Sequence, residues 1–142
     1  MALIRNHYVG RTFIEPQNEI RHFGVKLKLH PVEHLIRGKS VILLDDSIVR
    51  GTTSRKIIRE VRECGAKEIH LMISSPPFKK PCYYGIDTPR EKELIANSKT
   101  NEEIRKYLAA DSLTYLTVED LKEACVNSES FCYACFGEKY VI

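Results

Sequence analysis

Apolar and polar positions change period several times along this chain, and each change predicts an element. "SVILLD" (40–45) is a continuous apolar run too short for a helix, which predicts a strand buried on both faces. Beyond Thr53 the period becomes helical. Ile57, Ile58, Val61 and Cys64 fall on one face, Lys56, Arg59, Glu60 and Glu63 fall elsewhere, and Gly65 is a natural stop. "KEIHLMISSP" then reads as a second strand ended by Pro76 and Pro77. Strand, helix and strand in succession predict a βαβ unit, hence a parallel sheet with a right-handed crossover.

The flanking regions are less regular. Residues 1–40 are punctuated by Pro16, Gly24, Pro31 and Gly38, and "FGVKLKLHPV" alternates Val25, Leu27 and Leu29 with two lysines, like a short half-exposed strand. "FKKPCYYGIDTPR" reads as a loop. Two short helices are predicted at "REKELIAN" and "NEEIRKYLAA", then a strand at "LTYLT" and a helix at "VEDLKEAC". The tail "SFCYACFGEKYVI" is aromatic and cysteine-rich without a clear period, and the chain carries no internal repeat or low-complexity segment.

Composition narrows the class. A chain of 142 residues, 43% hydrophobic and 29% charged, suits one α/β domain. No run of 18 apolar residues marks a membrane span, and "MALIRNHYVG" lacks the apolar stretch of a signal peptide. A cytoplasmic location is therefore expected, where the five cysteines serve as thiols or metal ligands rather than disulfides. The net charge of +3 is uneven: residues 1–40 hold +4 and residues 41–142 hold −1. A basic first segment could face an anionic ligand. Nucleic acid is not indicated, for there is no dense basic cluster interleaved with aromatics.

The candidate chemistry sits where the first strand ends. Asp45 and Asp46 stand at the carboxyl end of a strand, where open α/β sheets bind ligands. "SIVRGTT" leads from them directly into a helix, whose N-terminus with the turn's N–H groups makes an anion site. Gly51 would let the backbone approach closely or take positive φ. Ser47, Thr52 and Thr53 add hydroxyls, and a residue near the end of the loop can cap the helix. The carboxylates want hydrogen-bond donors or a hard cation such as Mg²⁺. A phosphorylated sugar satisfies both ends. A Walker A loop is excluded, since it needs Gly-Lys-Ser/Thr after a longer glycine-rich turn.

"VILLDDSIVRGTT" resembles the phosphoribosyl-pyrophosphate (PRPP) signature of type I phosphoribosyltransferases, and its wording resembles the glutamine amidophosphoribosyltransferase family. "RNHYVGRTFIEP" (Arg5 to Pro16) resembles that family's flexible lid, and "PCYYGIDTPREKELIA" a later family segment. The resemblance implies a partial type I phosphoribosyltransferase fold, a Rossmann-like parallel sheet with flanking helices and a small cysteine-containing C-terminal segment. It divides the chain into a lid and connecting segment (1–40), a βαβ unit with the signature (41–77), and C-terminal helices with the cysteine tail (78–142). By position, Asp45 and Asp46 would hold the ribose hydroxyls and Mg²⁺. Ser47, Ile48, Val49, Arg50, Gly51, Thr52 and Thr53 would cradle the 5-phosphate, and Arg5, Tyr8 and Arg11 would come from the lid. The implied reaction is displacement of pyrophosphate from PRPP by glutamine-derived ammonia, giving 5-phosphoribosylamine in the first step of purine synthesis. Purine nucleotides are then expected as further ligands.

"CYAC" near the C-terminus, Cys132 and Cys135, is by itself half a zinc site, a redox pair or part of an iron–sulfur cluster, with Cys82 the natural third ligand. The family's iron–sulfur branch uses a [4Fe–4S] cluster, and Cys82, Cys132 and Cys135 match three of its four ligands; the fourth would lie upstream. Cys64 is read as core, Cys125 as core or surface, and the histidines as structural. The family's glutaminase domain and the first half of its transferase domain have no counterpart here. An open sheet edge and bare apolar surface are therefore expected, with homo-oligomerisation or association with the missing part. Two other readings stay open: a non-catalytic PRPP or nucleotide-binding module, and a structural metal-cluster module.

Overall fold

The computed structural model describes residues 3–5 and 29–140. It begins with a small antiparallel pair, β1 (Leu3–Arg5) and β2 (Leu29–Pro31), registered Leu3 to Pro31 and Arg5 to Leu29. A single turn, α1 (Glu33–Ile36), leads into β3 (Ser40–Asp45). The helix α2 (Thr52–Glu63) returns the chain to β4 (Glu68–Ile73). A 3₁₀ turn (Glu91–Glu93), α3 (Ile95–Ser98) and α4 (Asn101–Leu108) then precede β5 (Ser112–Tyr115) and α5 (Val118–Ala124). The strands β3, β4 and β5 form a parallel sheet in that order, with Ile42 opposite His70 and His70 opposite Ser112. The predicted α/β class and βαβ unit are therefore present. Most of "FGVKLKLHPV" lies outside the described residues, and within it β2 is a strand.

Helices form where the sequence supplies both periodicity and caps. Thr100 accepts the Glu103 N–H while Glu103 reaches back to the Thr100 N–H, a reciprocal cap that starts α4. Thr117 and Asp120 repeat it at α5. "REKELIAN" is not one helix: Leu94 takes extended backbone and is fully buried, which splits the segment into a 3₁₀ turn and the one-turn α3. The α2 and α4 stripes, Ile58, Val61, Ile104 and Leu108, join Val41, Leu43, Ile69, Leu71 and Ile73 in one core. The Asp111 carboxylate fastens this layer by accepting the Ile69 N–H and an Arg62 N–H, each at 2.7 Å, and those two donors hold its carboxyl below the ordinary value.

The second face of the sheet carries exposed apolar side chains. Ile42, Leu44 and Met72 are 66%, 75% and 43% exposed. The expectation that "SVILLD" is covered on both faces thus fails. The core helices all lie against the Val41 and Leu43 side, and among the described residues nothing covers the other. The expected bare apolar surface is this face.

Tyr115, at the end of β5, has a buried hydroxyl with no hydrogen-bond partner, and burial pushes its phenol up to about 12. An unfolded tyrosine loses its proton near pH ~10. The folded chain therefore holds this proton more tightly, a contribution to stability that is complete below pH ~10 and lost as pH rises towards 12. Tyr115→Phe is expected to remove that alkaline loss and to stabilise the fold by about 1 kcal/mol at neutral pH, because an unpaired hydroxyl no longer has to be desolvated. Denaturant titrations of both proteins on either side of pH ~10 measure this; a less stable variant would contradict it.

Candidate functional site

The site grows out of the carboxyl end of β3, at the edge of the sheet. The Asp45 carbonyl accepts the Ser74 N–H at 3.0 Å, which ties the strand end to the end of β4. The Asp45 carboxylate accepts the Asp46 N–H at 3.0 Å, and that of Asp46 accepts the Ser47 hydroxyl at 3.0 Å. Asp45 is half-buried, and burial, with the adjacent Asp46 charge, pushes its carboxyl up against the opposing pull of that N–H. Two acids crowded in this way are a donor set that a cation or a pair of hydroxyls would relieve.

After the acids the chain dives inward and out again. Ile48 is 1% exposed and anchors the loop in the core. The Val49 carbonyl accepts the Ile95 N–H at 2.9 Å, and the Arg50 guanidinium pairs with Glu93. Gly51 has φ +75° and packs closely on Ile95, Tyr107 and Leu108, so it meets both demands expected of it, positive φ and close approach. From Gly51 the chain enters α2, and the Gly51 carbonyl accepts the Arg55 N–H at 3.0 Å.

Capping differs from expectation. The N-cap is Gly51 itself, no side chain caps the first turn, and neither Thr52 nor Thr53 does so. The first N–H groups of a helix have no partner within it. Here those of Thr52, Thr53 and Ser54 are left without a side-chain cap, at the positive end of the helix dipole. Carboxylates at one end and uncapped helical N–H groups at the other thus bracket one loop. That arrangement can accept from hydroxyls and donate to a phosphate.

Asp45, Asp46, Ser47, Ile48, Val49, Arg50, Gly51, Thr52 and Thr53 are accordingly brought together. Arg5 lies in β1, and of that residue only the backbone is described; Tyr8 and Arg11 lie outside the described residues. His70 bridges the hydroxyls of Ser40 (3.0 Å) and Ser112 (2.8 Å) across the sheet, a structural role as expected. Sequence reading passed over Glu93, Ile95 and Tyr107, the residues that back the loop. Nothing local marks them. Glu93 stands between Lys92 and Leu94, and its partner is 43 positions away.

The cysteines gather only partly. Cys135 is half-buried, burial pushes its thiol up, and Cys82 and Cys132 are close enough to add to that shift. The Cys135 carbonyl also accepts the N–H groups of Lys79 and Lys80 at 2.8 and 3.1 Å, which joins the tail to the segment before Cys82. All five cysteines are free thiols. Among the described residues, however, no group of three or more His, Cys, Asp or Glu side chains is arranged to hold a metal ion, so the three expected ligands do not form a closed set. No helix among them is long and apolar enough to cross a membrane.

Residues 8–105 match the phosphoribosyl transferase domain family. The chain is 58% identical over 142 residues to amidophosphoribosyltransferase 2, chloroplastic, of Arabidopsis thaliana, covering 99% of this chain and 25% of that protein. It is 54% identical over 139 residues to an amidophosphoribosyltransferase of Methanocaldococcus jannaschii, covering 98% of this chain and 29% of that one. Among solved structures, it is similar to the glutamine PRPP amidotransferase of B. subtilis complexed with ADP and GMP. The TM-score there is 0.80 with 50% identity, covering 99% of this chain and 32% of that one. The chain therefore spans between a quarter and a third of the length of these proteins.

Proposed function

The chain belongs to the phosphoribosyl transferase domain family, and from that premise we propose that it is the phosphoribose-binding part of an amidophosphoribosyltransferase. In this reading the loop from Asp45 to Thr53 holds PRPP, and glutamine-derived ammonia displaces pyrophosphate from its anomeric carbon to give 5-phosphoribosylamine. The observation that supports it is the bracketed loop: two crowded carboxylates before it and the uncapped first turn of α2 after it.

The residues divide the work by charge. The N–H groups and hydroxyls of Thr52 and Thr53 fix the 5-phosphate, and Asp45 and Asp46 accept from the ribose hydroxyls. Gripping both ends orients the anomeric carbon for attack, the part of the barrier that positioning lowers. Arg5, Tyr8 and Arg11 are assigned to the lid that excludes water from PRPP. Mg²⁺ held on Asp45 and Asp46 would supply charge neutralisation to the departing pyrophosphate, and the crowded acids fit a hard cation. Purine nucleotides carry the same 5-phosphate on a ribose, and the B. subtilis neighbour is complexed with ADP and GMP. They are proposed to compete for the same loop.

Calorimetry of the full chain with PRPP and Mg²⁺ tests this reading. Saturable binding displaced by ribose 5-phosphate is expected, and no binding would overturn it. Binding with no phosphoribosylamine formed, even beside the rest of the enzyme, would favour the non-catalytic module.

Cys82, Cys132 and Cys135 are proposed as three ligands of a structural iron–sulfur cluster completed from outside this chain. Thiolates are the right donors and a [4Fe–4S] cluster takes four; the thiols share one patch but do not yet surround a metal. Anaerobically purified protein containing its upstream partner sequence is expected to carry iron and acid-labile sulfide, and Cys132→Ser with Cys135→Ser to lose both. An iron-free parent would exclude the cluster.

A further inference from the structure

The Asp45–Thr53 loop is held by the segment that follows β4 through three different kinds of contact. A backbone hydrogen bond joins Ile95 to Val49 at 2.9 Å. Van der Waals packing seats Gly51 on Ile95, Tyr107 and Leu108, so closely that an added Cβ would lie 3.1 to 3.4 Å from them. Between these two sits Arg50, whose Nε and Nη2 each lie 2.9 Å from one Glu93 oxygen. Glu93 is itself well placed to act as an anchor. It closes the 3₁₀ turn immediately before Leu94, which is fully buried, and its N–H donates to the Arg90 carbonyl at 2.8 Å.

We propose that Glu93 is a positioning residue for the phosphate loop: by holding Arg50 it keeps the turn in the shape that presents the N–H groups of Thr52 and Thr53 to a 5-phosphate. The inference rests on the reading of Asp45–Thr53 as the PRPP cradle. Val49 and Gly51 are fixed through their backbones, so Arg50 is the residue of the turn whose side chain has the most freedom left. An unheld guanidinium two residues before the helix could fold onto an incoming phosphate or swing into solvent, and either would leave that side chain to be ordered as the phosphate binds. Fixing it beforehand reduces the ordering that binding must otherwise impose. The hydrogen bond from Arg50, with its charge adding to it, keeps the Glu93 carboxyl below its ordinary value, so the pair persists across the neutral range.

Exposed ion pairs contribute little to global stability, so the melting temperature of Glu93→Gln should match that of the parent while affinity changes. Calorimetry with PRPP and with ribose 5-phosphate, on the full chain, reads the effect. Glu93→Gln is expected to weaken both ligands alike, by about threefold. The double variant Arg50→Gln/Glu93→Gln should bind no more weakly than Arg50→Gln alone, because the two residues act through one contact. Losses that add would overturn the proposal. So would unchanged binding by Glu93→Gln, or tighter binding, which would mean that Glu93 withholds Arg50 from the ligand. Asp45→Asn/Asp46→Asn serves as the control. If that variant binds as the parent does, the cradle reading fails; if it loses binding while Glu93→Gln does not, only the role of Glu93 fails.

Discussion

Asp45→Asn combined with Asp46→Asn weakens PRPP binding by about a hundredfold or more, while the fold survives. A hydrogen bond to a charged group contributes about 1.5 to 3 kcal/mol. Losing the charge at both acids therefore removes at least about 3 kcal/mol, which is roughly a hundredfold in affinity. Loss of a bound cation would add to this. The fold has no reason to suffer. Burial and the Asp46 charge already push the Asp45 carboxyl up, so its ionised form opposes folding. An amide oxygen at position 45 still accepts the Asp46 N–H. The sign follows for pH as well. With the folded-state value raised, the stabilising contribution of Asp45 is complete at low pH and lost as pH rises through that value. Affinity for PRPP runs the opposite way, rising as Asp45 ionises. Calorimetry across mildly acidic to neutral pH, paired with thermal melts, measures both. Undiminished binding by the double variant would remove the acids from the site.

Gly51→Ala is expected to destabilise the chain by about 2 to 4 kcal/mol, from about 1–2 kcal/mol for a left-handed Ala and the rest from overpacking. The two costs arise separately. At φ +75° any Cβ is strained against its own backbone. That Cβ would also lie 3.1 Å from the Ile95 side chain, 3.3 Å from Tyr107 and 3.4 Å from Leu108, with Leu108 fully buried and Ile95 nearly so. The chain can relieve both only by lifting the loop away from α4. That movement would carry the first turn of α2 with it, so phosphate binding should fall together with stability. Denaturant unfolding followed by circular dichroism reads the first effect, and ribose 5-phosphate titration the second. A loss below about 0.5 kcal/mol, the range of a surface substitution, would show that the loop relaxes freely and that Gly51 is not a fulcrum.

The two substitutions also separate what could be read locally from what could not. The acids at the end of "SVILLD", the glycine and the helix onset, read just beyond Thr53 and observed at Thr52, were legible because each is a short-range signal. An apolar run ends, a residue without a side chain allows positive φ, and a new period begins. The reciprocal caps at Thr100 and Thr117 are equally local, each closed within three residues, although the sequence reading passed over them. The expected cap on α2 failed for a physical reason. Gly51 takes the N-cap position because the chain passes flat against Ile95 and Tyr107 at positive φ, where a side chain would be both crowded and strained. The helix expected at "REKELIAN" broke because Leu94 takes extended backbone as its side chain is buried. Cys82 was matched to Cys132 and Cys135 by resemblance, and the structure brings them into one neighbourhood without making a ligand set of them.

By itself, then, the sequence determined the succession β3, α2, β4, then α4, β5 and α5, the parallel βαβ unit and the loop on which the proposed chemistry rests. These follow from periodicity and turn residues spanning a few positions. Only the tertiary structure decided which side of β3 is covered. A continuous apolar run looks the same whether one face or two is packed, and the difference depends on where α2 and α4 come to lie. Tertiary structure also supplied the backing of the loop by Glu93, Ile95 and Tyr107. Contacts across 43 positions leave no mark on the local pattern, because they are made by packing that exists only once the sheet has formed.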